Sequence, residues 1–171
     1  MYRVNHRIGG KTVKFRSYKD SDAEEILSWV RDEREFRLWS SSKYPAYPIF
    51  PEEMSNSYLE KKVNFYPLVL EDEGKIIGHL TLEKIEGIVK LGFVIIDSNM
   101  RGKGLGKKLV KGAVTYAKEE LGAKSVILRV FMNNERALNC YKSAGFNVTG
   151  VERNAYNFHG EAWDRAEMEI M

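Results

Sequence analysis

Residues Asp97 to Lys107 join a nearly continuous apolar stretch, Ile88 to Ile96, to apolar residues at helical spacing: Leu105, Leu109, Ala113, Tyr116 and Ala117. The first stretch reads as a strand buried on both faces. The second reads as an amphipathic helix that Gly122 ends. A helix that starts straight after a turn leaves its first N–H groups unpaired, at the positive end of the helix dipole. Glycines at 102, 104 and 106 place no Cβ between an anion and that backbone, and Arg101, Lys103, Lys107 and Lys108 add positive charge. The turn therefore reads as a cradle for phosphate or pyrophosphate. The alternative is a glycine-rich helix entry with surface lysines. Two phosphate motifs fail here. A P-loop needs Ser or Thr after Gly106-Lys107 and glycine five positions before Gly106, where Lys108 and Arg101 stand. The dinucleotide fingerprint needs G-x-G-x-x-G, and the spacing of Gly102, Gly104 and Gly106 does not match it.

The remaining elements follow from periodicity and punctuation. Gly9-Gly10 between two alternating stretches, Val4 to Ile8 and Thr12 to Phe15, predicts a hairpin. Ala23, Ile26, Leu27, Trp29 and Val30 predict a helix that Ser21 or Asp22 caps. Ser40 to Pro51, rich in proline, serine and tyrosine, predicts a loop, followed by a short helix near Glu52 to Lys62. Asn64 to Leu70, Ile76 to Lys84 and Ile88 to Ile96 predict an antiparallel meander with turns at 71–75 and 86–87. Lys124 to Phe131, Asn134 to Ala144, Phe146 to Val151 and Trp163 to Ile170 predict strand, helix, strand and strand. An antiparallel front half and a βαβαβ-like tail make the class α+β, or mixed α/β, and not all-parallel.

Arg101-x-x-Gly104-x-Gly106 after one apolar strand, and Asn134-x-x-Ala137-x-x-x-Tyr141-x-x-x-Gly145-Phe146 after the next, resemble the GCN5-related N-acetyltransferases. The match covers residues 88–151, and the order of elements from residue 13 onward fits more loosely. The resemblance implies a mostly antiparallel central sheet with a splayed strand pair and helices on both faces. It implies a single domain over residues 1–171, with residues 1–12 a hairpin extension. It implies acetyl-CoA as acyl donor, no metal, and an amine as acceptor, either a small molecule or a protein N-terminus. Backbone amides of Arg101, Gly102, Lys103, Gly104, Leu105, Gly106 and Lys107 would hold the pyrophosphate. Backbone groups of Val94, Ile95 and Ile96 would pair with the pantetheine arm as an added strand would, and Asn134 would help hold that arm. Gly92 suits a bulge that opens the sheet there. Tyr141 would protonate the departing thiolate, since a phenol of pKa about 10 lies close enough to an alkyl thiol. From the residues alone, the Asn134–Tyr141 face reads as core, and it is the resemblance that turns it toward the site. Cys140 is expected to face away from Tyr141, because a helix turns ~100° per residue, and to be a buried, inert thiol.

The simplest transfer is direct attack of a neutral amine on the thioester with both substrates bound, and a strand N–H near Val94 to Ile96 is the natural donor to the oxyanion. A lysine-type amine of pKa about 10.4 needs help losing its proton, whereas an α-amine of about 7.7–8.0 needs little. Strand parity puts His79, Thr81 and Glu83 on one face, which makes Glu83 the candidate base and His79 a weaker one. The alternatives are a solvated glutamate at a strand end and a structural histidine. By the resemblance, Trp39, Tyr44, Tyr47 and Phe50 would line the acceptor side together with Tyr156, Phe158, His159 and Trp163; ordinary core packing is the alternative.

The chain's 171 residues are 43% hydrophobic and 30% charged, which excludes a disordered tail or a collagen-like fibre. A membrane span needs ~20 apolar residues and none fits. Met1 to Arg16 lacks an apolar core segment, so no secretory leader is expected, and Cys140, the lone cysteine, makes neither an internal disulfide nor a zinc site. A cytoplasmic location follows as an expectation. A net charge of +3 is too mild to argue for nucleic acid. Dimers are common among such enzymes, and the N-terminal hairpin offers one contact for a homodimer. Two competing readings remain: a non-catalytic acyl-CoA-binding or sensing module of the same fold, and a nucleotide-binding protein of another fold.

Overall fold

The computed structural model describes residues 3–8, 11–61 and 63–171, with side chains described for 14–61 and 63–171. Its strands are β1 (Arg3–Ile8), β2 (Lys11–Ser17), β3 (Phe65–Asp72), β4 (Lys75–Ile85), β5 (Ile88–Ile96), β6 (Ser125–Phe131), β7 (Asn147–Phe158) and β8 (Glu161–Ile170). Its helices are α1 (Ala23–Ser28), α2 (Glu33–Ser40), α3 (Pro51–Leu59), α4 (Leu105–Glu119) and α5 (Glu135–Ala144). The strands form one sheet in the order β1-β2-β3-β4-β5-β6-β8-β7. Every neighbouring pair is antiparallel except β5 and β6, which run parallel across the α4 crossover. This is the mixed, mostly antiparallel sheet that the sequence predicts. The Gly9-Gly10 turn lies outside the described residues, while β1 and β2 on either side of it are paired.

The apolar periodicities sort the core into two layers. Leu109, Val110, Ala113, Tyr116 and Ala117 of α4, with Leu138 and Tyr141 of α5, pack on Leu80, Leu82, Leu91 and Leu128 of the sheet. On the other face, Ala23 and Ile26 of α1, Phe36 of α2 and Met54 and Tyr58 of α3 pack on Val69, Ile76 and Ile95. Leu80, Leu82 and Leu109 are fully buried, and truncating such a residue to alanine typically costs about 2–5 kcal/mol. The Phe15 ring lies so close to α4 that a Cβ at Gly112 would sit 2.5 Å from it, so glycine is what admits this approach.

Three departures from the sequence reading are informative. Helix α2 falls where the sequence shows no long periodic stretch; it is specified instead by its cap, with Asp32 accepting the Glu35 N–H at 2.7 Å. Strand β7 runs to Phe158 rather than Val151: Tyr156, Asn157 and Phe158 pair with Trp163, Ala162 and Glu161 of β8, and the polar run Glu152-Arg153-Asn154 before them hides that continuation from a linear reading. The tail keeps the βαβαβ-like order of elements, but β8 inserts antiparallel between β6 and β7, a placement that the order alone does not give.

The sequence reading places His79, Thr81 and Glu83 on one strand face, and the structure keeps His79 and Thr81 there, buried opposite the Leu80 and Leu82 layer. His79 is fully buried beneath α3. A carbonyl only accepts, so Nδ1–H donates to Leu68 O at 2.9 Å; neutral Nε2 then accepts from the Tyr58 hydroxyl, also at 2.9 Å. Burial pushes its pKa down from 6.5 to about 4. The folded state therefore holds this imidazole neutral at pH values where the unfolded chain takes up a proton. Stability from this group is complete above pH 6.5 and falls as pH drops toward 4, by about 3 kcal/mol in all. Thermal unfolding followed from pH 7.5 to 4 is expected to show this loss, and a His79→Gln variant is expected to lack that part of the slope.

Candidate active site

Strands β5 and β6 pair only from Ile88 to Leu91 against Ser125 to Leu128. Beyond Leu91 and Leu128 they part, so the β6-facing edge of β5 is left without a strand partner from Gly92 onward. On its other edge β5 carries a bulge, with Phe93 and Val94 together opposing Leu80 of β4. Phe93 sits in left-handed backbone at φ 50, a costly conformation for a bulky residue. Its ring is held edge-on by Trp39, Tyr44 and Tyr58 at centroid distances of 5.3, 6.1 and 6.1 Å. Gly92, adjacent to the bulge, faces Thr81, whose Oγ1 would lie 3.2 Å from an added Cβ.

The parted strands open a cleft of about 710 Å³ between α2, β5, the glycine turn, α4 and α5. Its lining includes the predicted residues Val94, Ile95, Ile96, Arg101, Gly102, Gly104, Leu105, Gly106, Lys107, Asn134 and Tyr141. Two motifs whose first residues, Arg101 and Asn134, lie 33 positions apart in sequence are therefore brought to one cavity. Gly104 is the N-cap of α4, in left-handed backbone at φ 73, and no side chain caps that helix start. A Cβ at Gly102 or Gly104 would meet nothing within 4 Å, so the turn presents open backbone. Asn134 caps α5, its Oδ1 accepting the Ala137 N–H at 3.3 Å. Tyr141 is buried against Phe146, and burial raises its phenol pKa well above the usual value, away from the alkyl-thiol range that the sequence reading relies on.

The structure corrects several sequence expectations. Glu83 does not line the cleft; its carboxylate accepts from Lys61 Nζ at 2.8 Å. Lys103 does not line it either, its ammonium lying 3.6 Å from Met100 Sδ at the surface. The Arg101 charge is already committed: its guanidinium donates to Ile96 O at 3.2 Å, to Trp29 O at 2.8 Å and to the Glu35 carboxylate. The Ile96 carbonyl is thereby occupied as well. Cys140 and Tyr141 do not face apart, since both line the cleft; the thiol is half-buried and burial raises its pKa. Of the eight aromatic and histidine residues expected on the acceptor side, Trp39 alone lines the cleft. Tyr44 is core, bonded to Ser57 at 2.9 Å, and Phe50 is 72% exposed. Trp163 is buried among Phe131, Tyr156 and Phe158. His159 is exposed beside Glu33.

Sequence reasoning found Trp39 but missed its neighbours in and just before α2: Arg31, Asp32, Arg34, Glu35 and Leu38 also border the cleft. The Asp32-x-x-Glu35 spacing, that of a helix N-cap with an acid three residues on, is the signal that would have found them. Burial alone would raise the Glu35 carboxyl, but the Arg31 N–H and guanidinium, with Arg101, bring it below the usual value.

Residues 23–146 match the Acetyltransferase (GNAT) family. The N-alpha-acetyltransferase of Sulfurisphaera tokodaii is 27% identical over 159 residues, covering 86% of this chain and 87% of that protein. The spermine/spermidine N(1)-acetyltransferase of Bacillus subtilis is 31% identical over 110 residues, covering 59% and 70%. In three dimensions the chain is similar to the spermidine N-acetyltransferase of Vibrio cholerae solved with CoA and spermine, with a TM-score of 0.79, 21% identity, and 92% and 94% of the two chains covered. The chain belongs to the GNAT family. It is an N-acetyltransferase.

The family uses acetyl-CoA, and the residues here fit that donor: an uncapped helix start with open glycines for its diphosphate, Lys107 beside it, and an unpaired strand edge for its arm. Gly104→Val forces a β-branched residue into left-handed backbone although the space is free. CoA affinity measured by calorimetry is expected to fall at least about tenfold, a loss of about 1.4 kcal/mol, with the thermal midpoint little changed. Unaltered affinity would count against the turn as the diphosphate site.

Proposed function

We propose that residues 1–171 act as one N-acetyltransferase domain, with the 1–12 hairpin as an extension, and that it moves an acetyl group from acetyl-CoA to a primary amine while both are bound. The observation that carries this reading is the convergence of the open α4 start, the freed β5 edge and the Tyr141 phenol on one cleft. Acetyl-CoA, when bound, supplies an acyl carbon already activated as a thioester. Backbone N–H groups from Arg101 to Lys107 bind its diphosphate, and Asn134 and the Val94 to Ile96 edge hold its arm. A β5 N–H near the bulge faces the negative charge that develops on the carbonyl oxygen. Tyr141, a phenol and so protonated at neutral pH, donates its proton to the leaving sulfur as the C–S bond breaks, and the proton that the acylated nitrogen sheds passes through solvent to restore the phenol.

The acceptor follows from the charges in the cleft. Arg31, Arg34, Arg101, Lys107, Arg129 and Arg136 line it against two carboxylates, Asp32 and Glu35. Both carboxylates already hold partners. Glu35 is taken up by Arg31 and Arg101, so among the described lining residues a polyamine with several ammonium groups meets one carboxylate, Asp32, which accepts the Glu35 N–H and is left as the candidate base. This favours an α-amine of pKa about 7.7–8.0, small or at a peptide end, which is partly neutral without help. The relatives point to both classes of acceptor, one by its name as an N-alpha-acetyltransferase and one as a spermine/spermidine acetyltransferase.

A free-thiol assay with acetyl-CoA and a panel holding spermidine, amino acids and short peptides tests the reading. Thiol release is expected with α-amines, rising with pH through about 8 as the acceptor itself deprotonates. Release with spermidine alone would reverse the acceptor preference. CoA binding without release by any amine would favour the non-catalytic module. Tyr141→Phe is expected to lower kcat by about 10²-fold or more, with CoA affinity changed by less than about threefold.

A further inference from the structure

Arg101 heads the glycine turn, yet its side chain points into protein rather than toward the diphosphate cradle. Three of its donors reach three elements: Nε goes to the Ile96 carbonyl at the end of β5, one terminal nitrogen to the Trp29 carbonyl at the end of α1, and the other to Glu35 on α2. The pair is well enclosed, with side chains 15% and 20% exposed. Glu35 uses both its oxygens. One meets Arg101, and the other accepts the Arg31 N–H at 2.9 Å and Arg31 Nε at 3.1 Å. Its own N–H is held by Asp32, so the carboxylate is fixed in the first turn of α2. The same helix sends Leu38 and Trp39 to the cleft lining.

We infer that Glu35 is a positioning residue for the donor turn: by anchoring the Arg101 guanidinium it fixes the turn from Arg101 to Lys107 and ties it rigidly to the helix that borders the acceptor end. The inference rests on the reading under Proposed function and adds a role for a residue outside both motifs. A planar, multi-donor guanidinium suits a brace among three acceptors, which a lysine ammonium does not replace. Neutralised in this way, Arg101 leaves diphosphate binding to backbone N–H groups and to Lys107. The opposite arrangement would be a guanidinium parked on Glu35 and released to the phosphates when the donor arrives. The two arrangements predict opposite signs.

The test is calorimetric titration of CoA into the wild-type chain, Glu35→Gln, Arg101→Gln and the double variant, with thermal midpoints confirming that each is folded. As a brace, Glu35→Gln and Arg101→Gln each weaken CoA binding by about tenfold, and the double variant is no weaker than the worse single one, because both remove the same link. In steady state, Glu35→Gln raises KM for both acetyl-CoA and the amine while kcat changes by less than about threefold, as fits a residue that touches no reacting atom. Should Glu35→Gln not fold, Glu35→Asp, which keeps the charge but shortens the reach, is expected to give the same pattern with a smaller loss. Tighter or unchanged CoA binding in the Glu35 variant, additive losses in the double variant, or a fall confined to kcat would each overturn the inference and leave the proposed function standing. A wild-type chain that binds no CoA would overturn the proposed function itself.

Discussion

The parting of β5 from β6 after Leu91 and Leu128 is the constraint on which the rest of the molecule depends. Parallel strands that stayed paired would close the sheet and bury every peptide group of β5 in ladder hydrogen bonds. Here four residues on each strand keep the register, and then the strands diverge. The bulge at Phe93 and Val94 increases the local twist, and the Phe93 ring, anchored among Trp39, Tyr44 and Tyr58, holds a backbone conformation that would otherwise be unfavourable. The strain at one residue is offset by aromatic packing in the layer beneath it. The result is a sheet with a gap whose walls are peptide edges and whose ends are the starts of two helices, α4 and α5.

At the donor turn it is the backbone, more than any free side-chain charge, that stands open. The helix start carries no side-chain cap, so its positive end stays available, while the nearest arginine is consumed by a carboxylate and two carbonyls. Enclosed ion pairs of this kind contribute little net stability against the cost of desolvation, and are retained where they impose one geometry. Tyr141 differs: burial makes its anion unfavourable, so it is a weaker acid than a free phenol and keeps its proton until charge develops on a group beside it. Position, rather than burial or residue type, separates it from Tyr44 and Tyr58, buried phenols whose hydroxyls are bonded within the core, whereas Tyr141 lines the cleft.

The sequence carried most of the donor half of the site, because that half is written in local terms. Gly102, Gly104 and Gly106 at a strand–helix junction, and Asn134 with Tyr141 two helical turns apart, are patterns a linear reading can hold. The acceptor half was largely illegible. Aromatic residues spaced along loops read alike whether they line a pocket or fill a core, and only their neighbours decide; Trp163 proved to be core and Trp39 a wall. Glu83 was a reasonable base by strand parity, but parity says nothing of Lys61, which reaches the carboxylate from across a loop. Helix α2 is strongly amphipathic, but its eight residues give about two turns in which to see the pattern, and its clearer local signal is the Asp32 cap.

What the sequence determined by itself is therefore the order and type of most elements, the mixed sheet and the open turn, since these depend on periodicity, glycine and proline over a few residues. Tertiary structure alone decided where β5 and β6 part, which charges remain free, and which helix faces the turn. Those outcomes depend on pairings such as Glu35 with Arg101, 66 positions apart, and no local preference of either residue encodes the other. Long-range contacts are selected by how the whole core packs, and that selection exists only once the chain has folded.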